Sequence, residues 1–275
     1  MNIGKLRAEA TAAVQAVRAA LQVIDERVDS DQITSKGRLD IATGTDVRSQ
    51  EVIRTMLARA HPEHAFVGEE SGHDAAPASG SHWLVDPICG TWNFASRLPL
   101  YCVNVALVVD GQVAIGAVGD AASGEVWVSE RGCGAWLEEH KQLVPAAASD
   151  QSSILALDPG RRTGAEAVRR ADVVAEAVRS GRWELRMLSS SIDLAYLAAG
   201  RVAGVWHPNT SPPLHFAAGA LLASEAGAVV TDEGGLPWML HSTSLVAAAT
   251  RDVHNALLAL VATRPGHDSA LSGAS

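Results

Sequence analysis

The sequence predicts a mixed fold of the α+β and α/β kind, and three observations support that prediction. The chain opens with an amphipathic helix, continues with an antiparallel meander of strands, and alternates strands with helices in its second half. With 275 residues, 47% of them hydrophobic and 19% charged, it can bury a large core. Disordered, collagen-like and small disulfide-stapled proteins are therefore excluded.

In the first half, apolar residues recur at helical spacing over residues 3–28, which predicts a long amphipathic helix. A polar, Gly-containing stretch at 29–40 predicts an exposed, mobile loop. A second helix is expected from about Asp46 to Ala60, with the Asp46 carboxylate near its positive end. Residues 65–68 are expected to form a buried strand that ends in two acids.

A loop rich in Gly, Ala, Ser and Pro is expected at 72–81. Strands are then predicted at 82–85, 101–109, 113–120 and 124–129, the last three being joined by tight turns. In the second half we expect strands at 153–157, 183–187, 202–206 and 228–231, and helices at 164–180, 190–199 and 214–227. This alternation is typical of an α/β layer.

Charge and cysteine content narrow the classes of function. The net charge is −9, and Lys occurs only at positions 5, 36 and 141, so a nucleic-acid-binding surface is not expected. The three cysteines lack zinc-pair spacing, which favours a reducing, cytoplasmic setting over disulfides. Residues 1–26 mix charges into their apolar positions, so we expect neither a signal peptide nor a membrane span.

Three segments place acids or other ligand-forming residues where a predicted strand ends or a predicted helix begins. They are Gly68–Ser71, Asp86–Phe94 and Leu214–Gly219. Taken alone, Glu69 and Glu70 fit a solvated turn equally well, and Asp86 before a proline fits a turn better than a ligand. Acids at buried strand ends are costly to desolvate, so the three segments together indicate a metal or catalytic site.

Other residue types are expected to be structural. His61 and His64 show no ligand spacing and are expected at the surface or with ordinary partners. The run Ser189-Ser190-Ser191 fits a helix cap better than a nucleophile.

The motifs in these segments resemble the inositol monophosphatase family, and the resemblance covers most of the chain. The matching stretches are Asp40-Ile41-Ala42-Thr43-x-x-Asp46, Gly68-Glu69-Glu70-Ser71, Trp83-Leu84-Val85-Asp86-Pro87-Ile88-x-Gly90-Thr91-x-Asn93-Phe94, Glu130-Arg131-Gly132-x-Gly134-Ala135, Asp193–Arg201, and Ala217-Ala218-Gly219 with Glu225-Ala226-Gly227. The resemblance implies five alternating layers, αβαβα, in a homodimer. It also implies a magnesium-dependent, lithium-sensitive phosphomonoesterase acting on a small phosphorylated molecule.

Carried over to this sequence, the resemblance implies roles for individual residues. Glu69, Asp86 and the carbonyl of Ile88 would hold the first Mg²⁺, which activates the attacking water. Thr91 would orient that water, and Asp46 would support Thr91. We expect an N-terminal half over 1–143, a C-terminal α/β half over 144–265 and a disordered tail over 266–275.

Further expectations concern the substrate. The backbone N–H groups of Gly90 and Thr91, at a helix start, would cradle the phosphate. The family often has an acid that recognises substrate hydroxyls shortly before its last motif. Here that region begins at His207 and contains no acid, so we expect His207 to face the substrate.

Two departures from the family pattern fall on ligands of the second metal. Cys89 stands where the family has the second Asp of Asp-Pro-Ile-Asp-Gly-Thr, and His215 stands where it has the Asp of Trp-Asp-x-Ala-Ala-Gly. Cys and His favour Zn²⁺ or related ions over Mg²⁺, so Zn²⁺, Mn²⁺ or no metal is expected at that position. Because both residues replace ligands of one ion, we expect the Cys89 sulfur and the His215 ring to lie about 3–5 Å apart.

Three interpretations of the departures stay open. The first is a phosphatase that works from the intact first metal site or with a changed metal. The second is a repurposed enzyme that uses a Cys89–His215 pair, in which direct contact lowers the thiol pKa, or a Cys/His/Asp metal site. The third is a non-catalytic protein that keeps the fold and binds a ligand without turnover.

Overall fold

The computed structural model describes residues 6–26, 32–37, 40–71, 80–137, 141–143, 153–160 and 162–262. Within these residues the helices are α1 Ala8–Asp25, α2 Gly44–Ala60, α3 Thr91–Ala95, α4 Gly164–Arg179, α5 Ile192–Ala198, α6 Ala217–Ala226 and α7 Arg251–Val261. Short 3₁₀ helices lie at Glu69–Ser71 and Pro213–His215.

The strands in the same residues are β1 Ile33–Gly37, β2 Asp40–Thr43, β3 Ala65–Gly68, β4 Ser81–Cys89, β5 Cys102–Val109, β6 Gln112–Asp120, β7 Val126–Glu130, β8 Gly134–Leu137, β9 Lys141–Gln142, β10 Ile154–Leu157, β11 Glu184–Arg186, β12 Gly204–His207, β13 Val229–Thr231 and β14 Leu245–Ala248. β3 to β9 form one sheet in chain order, and the second sheet has the order β11-β10-β12-β14-β13. β1 and β2 pair as a separate hairpin.

The order of the layers is given by the helices that pack against each face of the two sheets. One face of the first sheet packs against α1 and α2, and its other face packs against α5 and α6. α5 and α6 also cover one face of the second sheet, whose other face packs against α4 and α7. The order is therefore helices, sheet, helices, sheet, helices, which confirms the predicted αβαβα sandwich.

The middle helix layer lies very close to the first sheet at a glycine of β6. A Cβ atom placed on Gly116 would lie 2.6 Å from the carbonyl oxygen of Ala218 in α6. On the same strand, a Cβ on Gly119 would lie 2.4 Å from a methyl group of Val17 in α1. The absence of side chains at these positions lets both helix layers approach the sheet.

Local sequence explains where α2 begins. The Thr43 side chain accepts a hydrogen bond from the backbone N–H of Asp46, while the Asp46 carboxylate accepts one from the N–H of Thr43. This reciprocal capping box fixes the helix start at Gly44 and buries the Asp46 carboxylate at the first turn.

Several sequence-based expectations need correction. The predicted loop at 29–40 contains a strand, β1, which pairs with β2 although every residue of β1 is exposed. An exposed hairpin shows no apolar alternation, so the pattern missed it. β3 is an edge strand, exposed at Ala65 and only half-buried beyond it, because β4 pairs with one side of it alone. The sequence reading also left β8, β9, β14 and α7 unassigned.

Other expectations fall outside the described residues. These are most of the loop at 72–81, the start of the second half at 144 and the tail at 266–275. In the described part of the chain, no helix combines the length and the apolar character needed to cross a bilayer.

Candidate active site

A cleft of about 260 Å³ opens where β4 ends, between the first sheet and the start of the middle helix layer. Its lining residues are Asp40, Ile41, Glu69, Asp86, Ile88, Cys89, Gly90, Thr91, Trp92, Asp158, Ser189, Ser190, Ser191, His207, His215 and Phe216. The structure thus brings together the residues singled out in the sequence, with Asp46 fully buried behind Thr91.

The end of β4 is shaped to present backbone groups and side chains to the cleft. The pairing of β4 with β5 shifts register between Asp86 and Cys89, and such an irregularity re-aims the side chains beside it. Gly90 then adopts φ of 101°, in the left-handed region, and a Cβ there would lie 3.0 Å from the Leu100 carbonyl oxygen. Only glycine suits this position, from which α3 begins at Thr91.

Two carboxyl groups, Glu69 and Asp86, meet at the floor of the cleft. Asp86 is fully buried, and its Oδ1 accepts a hydrogen bond of 3.1 Å from the N–H of Ile88. Burial and the neighbouring Asp86 carboxylate raise the pKa of Glu69 to about 8. Lys36 in β1 partly compensates these charges, since its Nζ lies 3.2 Å from Oε1 of Glu69 and 2.5 Å from Oε1 of Glu70.

The Thr91 hydroxyl lies between two acceptors. Its Oγ1 is 3.2 Å from Oδ1 of Asp46 and 3.1 Å from the carbonyl oxygen of Ile88. The other Asp46 oxygen accepts hydrogen bonds from the N–H and hydroxyl of Thr43, at 2.8 and 2.6 Å. Burial raises the pKa of Asp46 to about 6 against these hydrogen bonds.

The two departures from the family pattern lie next to Asp86. Nδ1 of His215 is 2.6 Å from Oδ2 of Asp86. One ligand atom each of Asp86, Cys89 and His215 lie within 4.8 Å of one another, in agreement with the 3–5 Å expected for Cys89 and His215. Although burial opposes it, the Asp86 carboxylate raises the pKa of His215 well above its usual value.

The contacts of Cys89 do not favour an activated thiolate, which is one of the alternatives that the sequence leaves open. The Cys89 sulfur accepts hydrogen bonds from the N–H and hydroxyl of Ser191, at 3.3 and 3.1 Å. Contact with the Cys102 thiol and burial raise the pKa of Cys89 well above its ordinary value, and the His215 ring offsets this only in part. Cys89 is therefore a protonated, buried thiol at neutral pH.

The opposite wall of the cleft comes from the second half of the chain. His207 is buried, with Nε2 3.0 Å from Oδ2 of Asp193, and its ring packs on Phe216 with centroids 4.8 Å apart. Although burial opposes it, Asp193 raises the pKa of His207. Asp158, which follows β10, adds a carboxylate to this wall.

Sequence reasoning missed Lys36, Asp158 and the role of the serine run. Asp158 directly follows a predicted strand, a signal that was available but had no motif around it. Ser191 occupies the position before α5 but makes no side-chain cap, because its hydroxyl bonds to Cys89 instead. Lys36 gave no signal, since its partners follow it by more than 30 residues.

The donor sets differ between the two sides of Asp86. Glu69, Asp86 and the Ile88 carbonyl offer hard oxygen atoms, and the repulsion between the two buried carboxylates is of the kind that a divalent cation relieves, so this set fits Mg²⁺. Asp86, Cys89 and His215 offer oxygen, sulfur and nitrogen. That second set does not fit Mg²⁺ and suits a softer ion such as Zn²⁺.

The fold and the arrangement of this cleft define a class of protein that comparison with known sequences identifies. The family model for the inositol monophosphatase family matches residues 5–265, and the chain belongs to that family. The chain is 33% identical over 251 residues to Nus factor SuhB of Escherichia coli strain K12, covering 90% of this chain and 93% of that protein. It is 34% identical over 221 residues to an inositol-1-monophosphatase of Mesorhizobium japonicum, covering 78% and 81%.

Solved structures give the same fold. The extragenic suppressor protein SuhB from Bartonella henselae superposes with a TM-score of 0.81 at 25% identity, over 92% of this chain and 98% of that one. The Thermotoga maritima IMPase superposes with a TM-score of 0.77 at 25% identity, over 90% and 94%.

Proposed function

We propose that this protein hydrolyses a small phosphate monoester with a divalent cation bound by Glu69, Asp86 and the carbonyl of Ile88. The observation that carries the proposal is the contact between Glu69 and Asp86, two carboxyl groups held together at the floor of an accessible cleft. Such a pair is unfavourable unless a cation or a proton neutralises it. A bound cation supplies Lewis-acid activation of a water molecule and neutralises phosphate charge.

Thr91 is proposed to orient the attacking water. When its hydroxyl donates to Oδ1 of Asp46, at 3.2 Å, the lone pairs of its oxygen are left to accept a proton from a water in the cleft. The Thr43 hydrogen bonds hold Asp46 ready to accept from Thr91. In this arrangement Asp46 is a positioning residue, and Thr91 is the group that touches the reacting water.

The phosphate is proposed to bind at the start of α3. The left-handed turn at Gly90 directs the following backbone toward the cleft, and N–H groups at a helix start attract anions. His207 borders the same cleft, where its paired imidazole suits a hydroxyl or phosphate oxygen of the substrate.

At the second position, we propose a softer ion than Mg²⁺ or no metal at all. The donor set of Asp86, Cys89 and His215 supports Zn²⁺, whereas Mn²⁺ prefers oxygen ligands. Without a metal, the imidazolium of His215 supplies positive charge at the same place. The raised pKa of Cys89 counts against a Cys89 nucleophile, so a repurposed thiol enzyme is the weaker alternative.

A non-catalytic role is the second candidate, because several relatives carry the name Nus factor SuhB. The net charge of −9 and the scarcity of lysine favour a partner that is not nucleic acid.

We also propose that the protein forms the homodimer that the family resemblance implies.

Phosphate release from a panel of sugar, inositol and nucleotide monophosphates, with Mg²⁺, Mn²⁺ or Zn²⁺, tests the function. We expect turnover of at least one substrate, lowered at least 100-fold in Asp86→Asn. Asp252→Asn, an exposed change in α7, is the matched control and should keep full activity. A folded protein that releases no phosphate with any substrate and any of these ions contradicts the proposal and favours the non-catalytic role.

A further inference from the structure

A second group of metal-ligand side chains lies at the other end of β3, away from the cleft. Glu9 in the first turn of α1, His61 at the end of α2 and His64 just before β3 each place one ligand atom within 4.8 Å of the others. β3 separates His64 from Glu69, and its four residues span about 13 Å at roughly 3.3 Å per residue. This group is therefore independent of the chemistry at Asp86.

Backbone hydrogen bonds and an aromatic ring fix the two imidazoles. The N–H of His61 bonds to the Leu57 carbonyl at 2.8 Å, and the N–H of His64 bonds to the His61 carbonyl at 3.2 Å. The two rings stack with centroids 5.6 Å apart and an angle of 18°. The Trp83 ring packs against both, at 6.3 Å from His61 and 5.8 Å from His64. The rings are thus held in one arrangement before any ligand arrives.

His64 lacks the hydrogen bonds that a buried imidazole needs. Within the described residues, neither of its ring nitrogens has a hydrogen-bond partner although both are buried. The Glu63 carboxylate lies 3.7 Å from Nε2 of His64, beyond hydrogen-bond distance, and 3.2 Å from Nδ1 of His61. A buried polar nitrogen left without a partner is costly, so a ligand for His64 is expected.

We propose that Glu9, His61 and His64 form a binding site for a divalent transition-metal ion of the Zn²⁺ type. Two imidazole nitrogens and one carboxylate oxygen are a donor set that Zn²⁺ uses, whereas Mg²⁺ prefers oxygen alone. The three side chains are partly exposed, which leaves room for water as a further ligand. Glu63 beside His61 provides the carboxylate that often orients a metal-bound imidazole.

The ion would tie the first turn of α1 to the turn that joins α2 and β3. Glu9 precedes the two histidines by more than 50 residues in the chain, so the complete site exists only in the folded protein. An ion that binds the folded state alone stabilises it by mass action. The role of the site is accordingly structural, since no reacting group of the cleft lies near it.

Zn²⁺ binding by equilibrium dialysis and thermal unfolding tests this proposal. The measurement is made in the Glu69→Gln/Asp86→Asn/Cys89→Ser/His215→Gln background, so that neither set of cation ligands around Asp86 competes. We expect one Zn²⁺ per chain and a rise in the melting temperature with Zn²⁺ concentration. When Co²⁺ is bound in place of Zn²⁺, the same site should give a visible absorption band.

Matched variants in that background locate the ion. Glu9→Gln and His64→Gln should each weaken Zn²⁺ binding at least tenfold and remove most of the thermal shift. His241→Gln, an exposed histidine elsewhere, should leave both unchanged. Because Glu9 is partly exposed, its substitution should leave the circular dichroism spectrum native. Failure to bind Zn²⁺, or binding that none of Glu9→Gln, His61→Gln and His64→Gln weakens, would overturn the proposal.

Discussion

Nδ1 of His215 lies 2.6 Å from Oδ2 of Asp86, although 129 residues separate the two in the chain. Asp86 is fully buried, whereas a quarter of the His215 side chain is exposed to the cleft. The imidazolium therefore occupies one oxygen of the carboxylate that is expected to bind cations. Any metal that uses this oxygen must displace a charged hydrogen bond.

Restoring the acidic pattern of the family should increase the affinity for Mg²⁺. In Cys89→Asp/His215→Asp, two hard carboxylates replace a thiol and an imidazole next to Asp86, so we expect at least tenfold tighter Mg²⁺ binding and higher Mg²⁺-dependent phosphate release. Calorimetric titration and phosphate assays measure the two effects. Cys133→Asp/His241→Asp introduces the same groups at exposed positions and should change neither. An unchanged Mg²⁺ affinity in the first variant would contradict the assignment of this cluster.

Removing the charge of Glu69 should stabilise the metal-free protein. Burial and the Asp86 carboxylate disfavour the ionised form of Glu69, so Glu69→Gln should raise the free energy of unfolding in chelator by about 1–3 kcal/mol at pH 8. The same variant should lose the rise in melting temperature that Mg²⁺ gives the parent protein. Urea unfolding measures the first effect, with the exposed Glu184→Gln as a control. A variant that is less stable than the parent in chelator would disagree with this account.

Cys89 should react slowly with alkylating reagents at neutral pH. Its thiol is buried and has a raised pKa, whereas Cys133 is exposed. Limited treatment with iodoacetamide at pH 7.5, followed by peptide mass spectrometry, should therefore label Cys133 first. Labelling in urea provides the reference in which the three cysteines react alike. Preferential labelling of Cys89 in the native protein would instead support the alternative in which a Cys89–His215 pair forms an activated thiolate.

The His207–Asp193 pair should stabilise the fold more at low pH than at high pH. Both groups have folded-state pKa values raised above their ordinary values, so both bind protons more tightly in the folded state. The His207 contribution is complete below pH 6.5 and is lost as the pH rises through its folded-state pKa, by about 1.4 kcal/mol per unit of pKa difference. Urea unfolding from pH 5.5 to 8.5 should show this decline relative to His207→Gln/Asp193→Asn.

A histidine with the opposite shift serves as the control for that measurement. Burial lowers the pKa of His254, so its protonation opposes folding, and its contribution should fall as the pH drops through 6.5. The difference in the free energy of unfolding between the parent and His254→Gln should therefore rise with pH, whereas the difference between the parent and the His207 variant should fall. Equal trends for the two histidines would contradict the assigned shifts.

Adding a methyl group at Gly116 should separate α6 from the first sheet. Because a Cβ there would lie 2.6 Å from the Ala218 carbonyl oxygen, Gly116→Ala should lower the free energy of unfolding by about 1–3 kcal/mol. Gly37→Ala, where no atom lies within 4 Å of the added Cβ, should cost far less. Denaturant midpoints compare the two; equal losses would contradict the close packing.

The sequence predicted many of the helices and strands because their signals are local, whereas the order of the layers was implied by the family resemblance. Helical spacing predicted α1, and tight-turn residues predicted the meander from β5 to β7. The hairpin of β1 and β2 was missed because its first strand is exposed throughout and has no buried face to produce a pattern. Local hydrophobic patterns arise from burial, so they cannot predict a helix or strand that has no buried face.

The site was predictable as a set of positions but not as a set of chemical states. Motifs located Glu69, Asp86 and Thr91, whereas the raised pKa of Cys89 depends on contact with the Cys102 thiol and on burial. The cluster of Glu9, His61 and His64 likewise gave no signal, since only the packing of α1 on α2 brings Glu9 to the two histidines. Protonation and metal preference arise from contacts that residue spacing does not encode.

The hydrogen bonds that join the two walls of the cleft form late in folding. Ser190 donates to the Cys89 carbonyl at 2.9 Å across 101 residues, and Asn93 donates to the Leu188 carbonyl at 2.7 Å across 95. Closing such long loops consumes chain entropy that a helix or hairpin does not, so these contacts follow local structure in folding. A growing chain that ends before Leu188 carries Glu69 and Asp86 without the wall that completes their cleft. The cleft is consequently complete only once both halves of the chain have folded together.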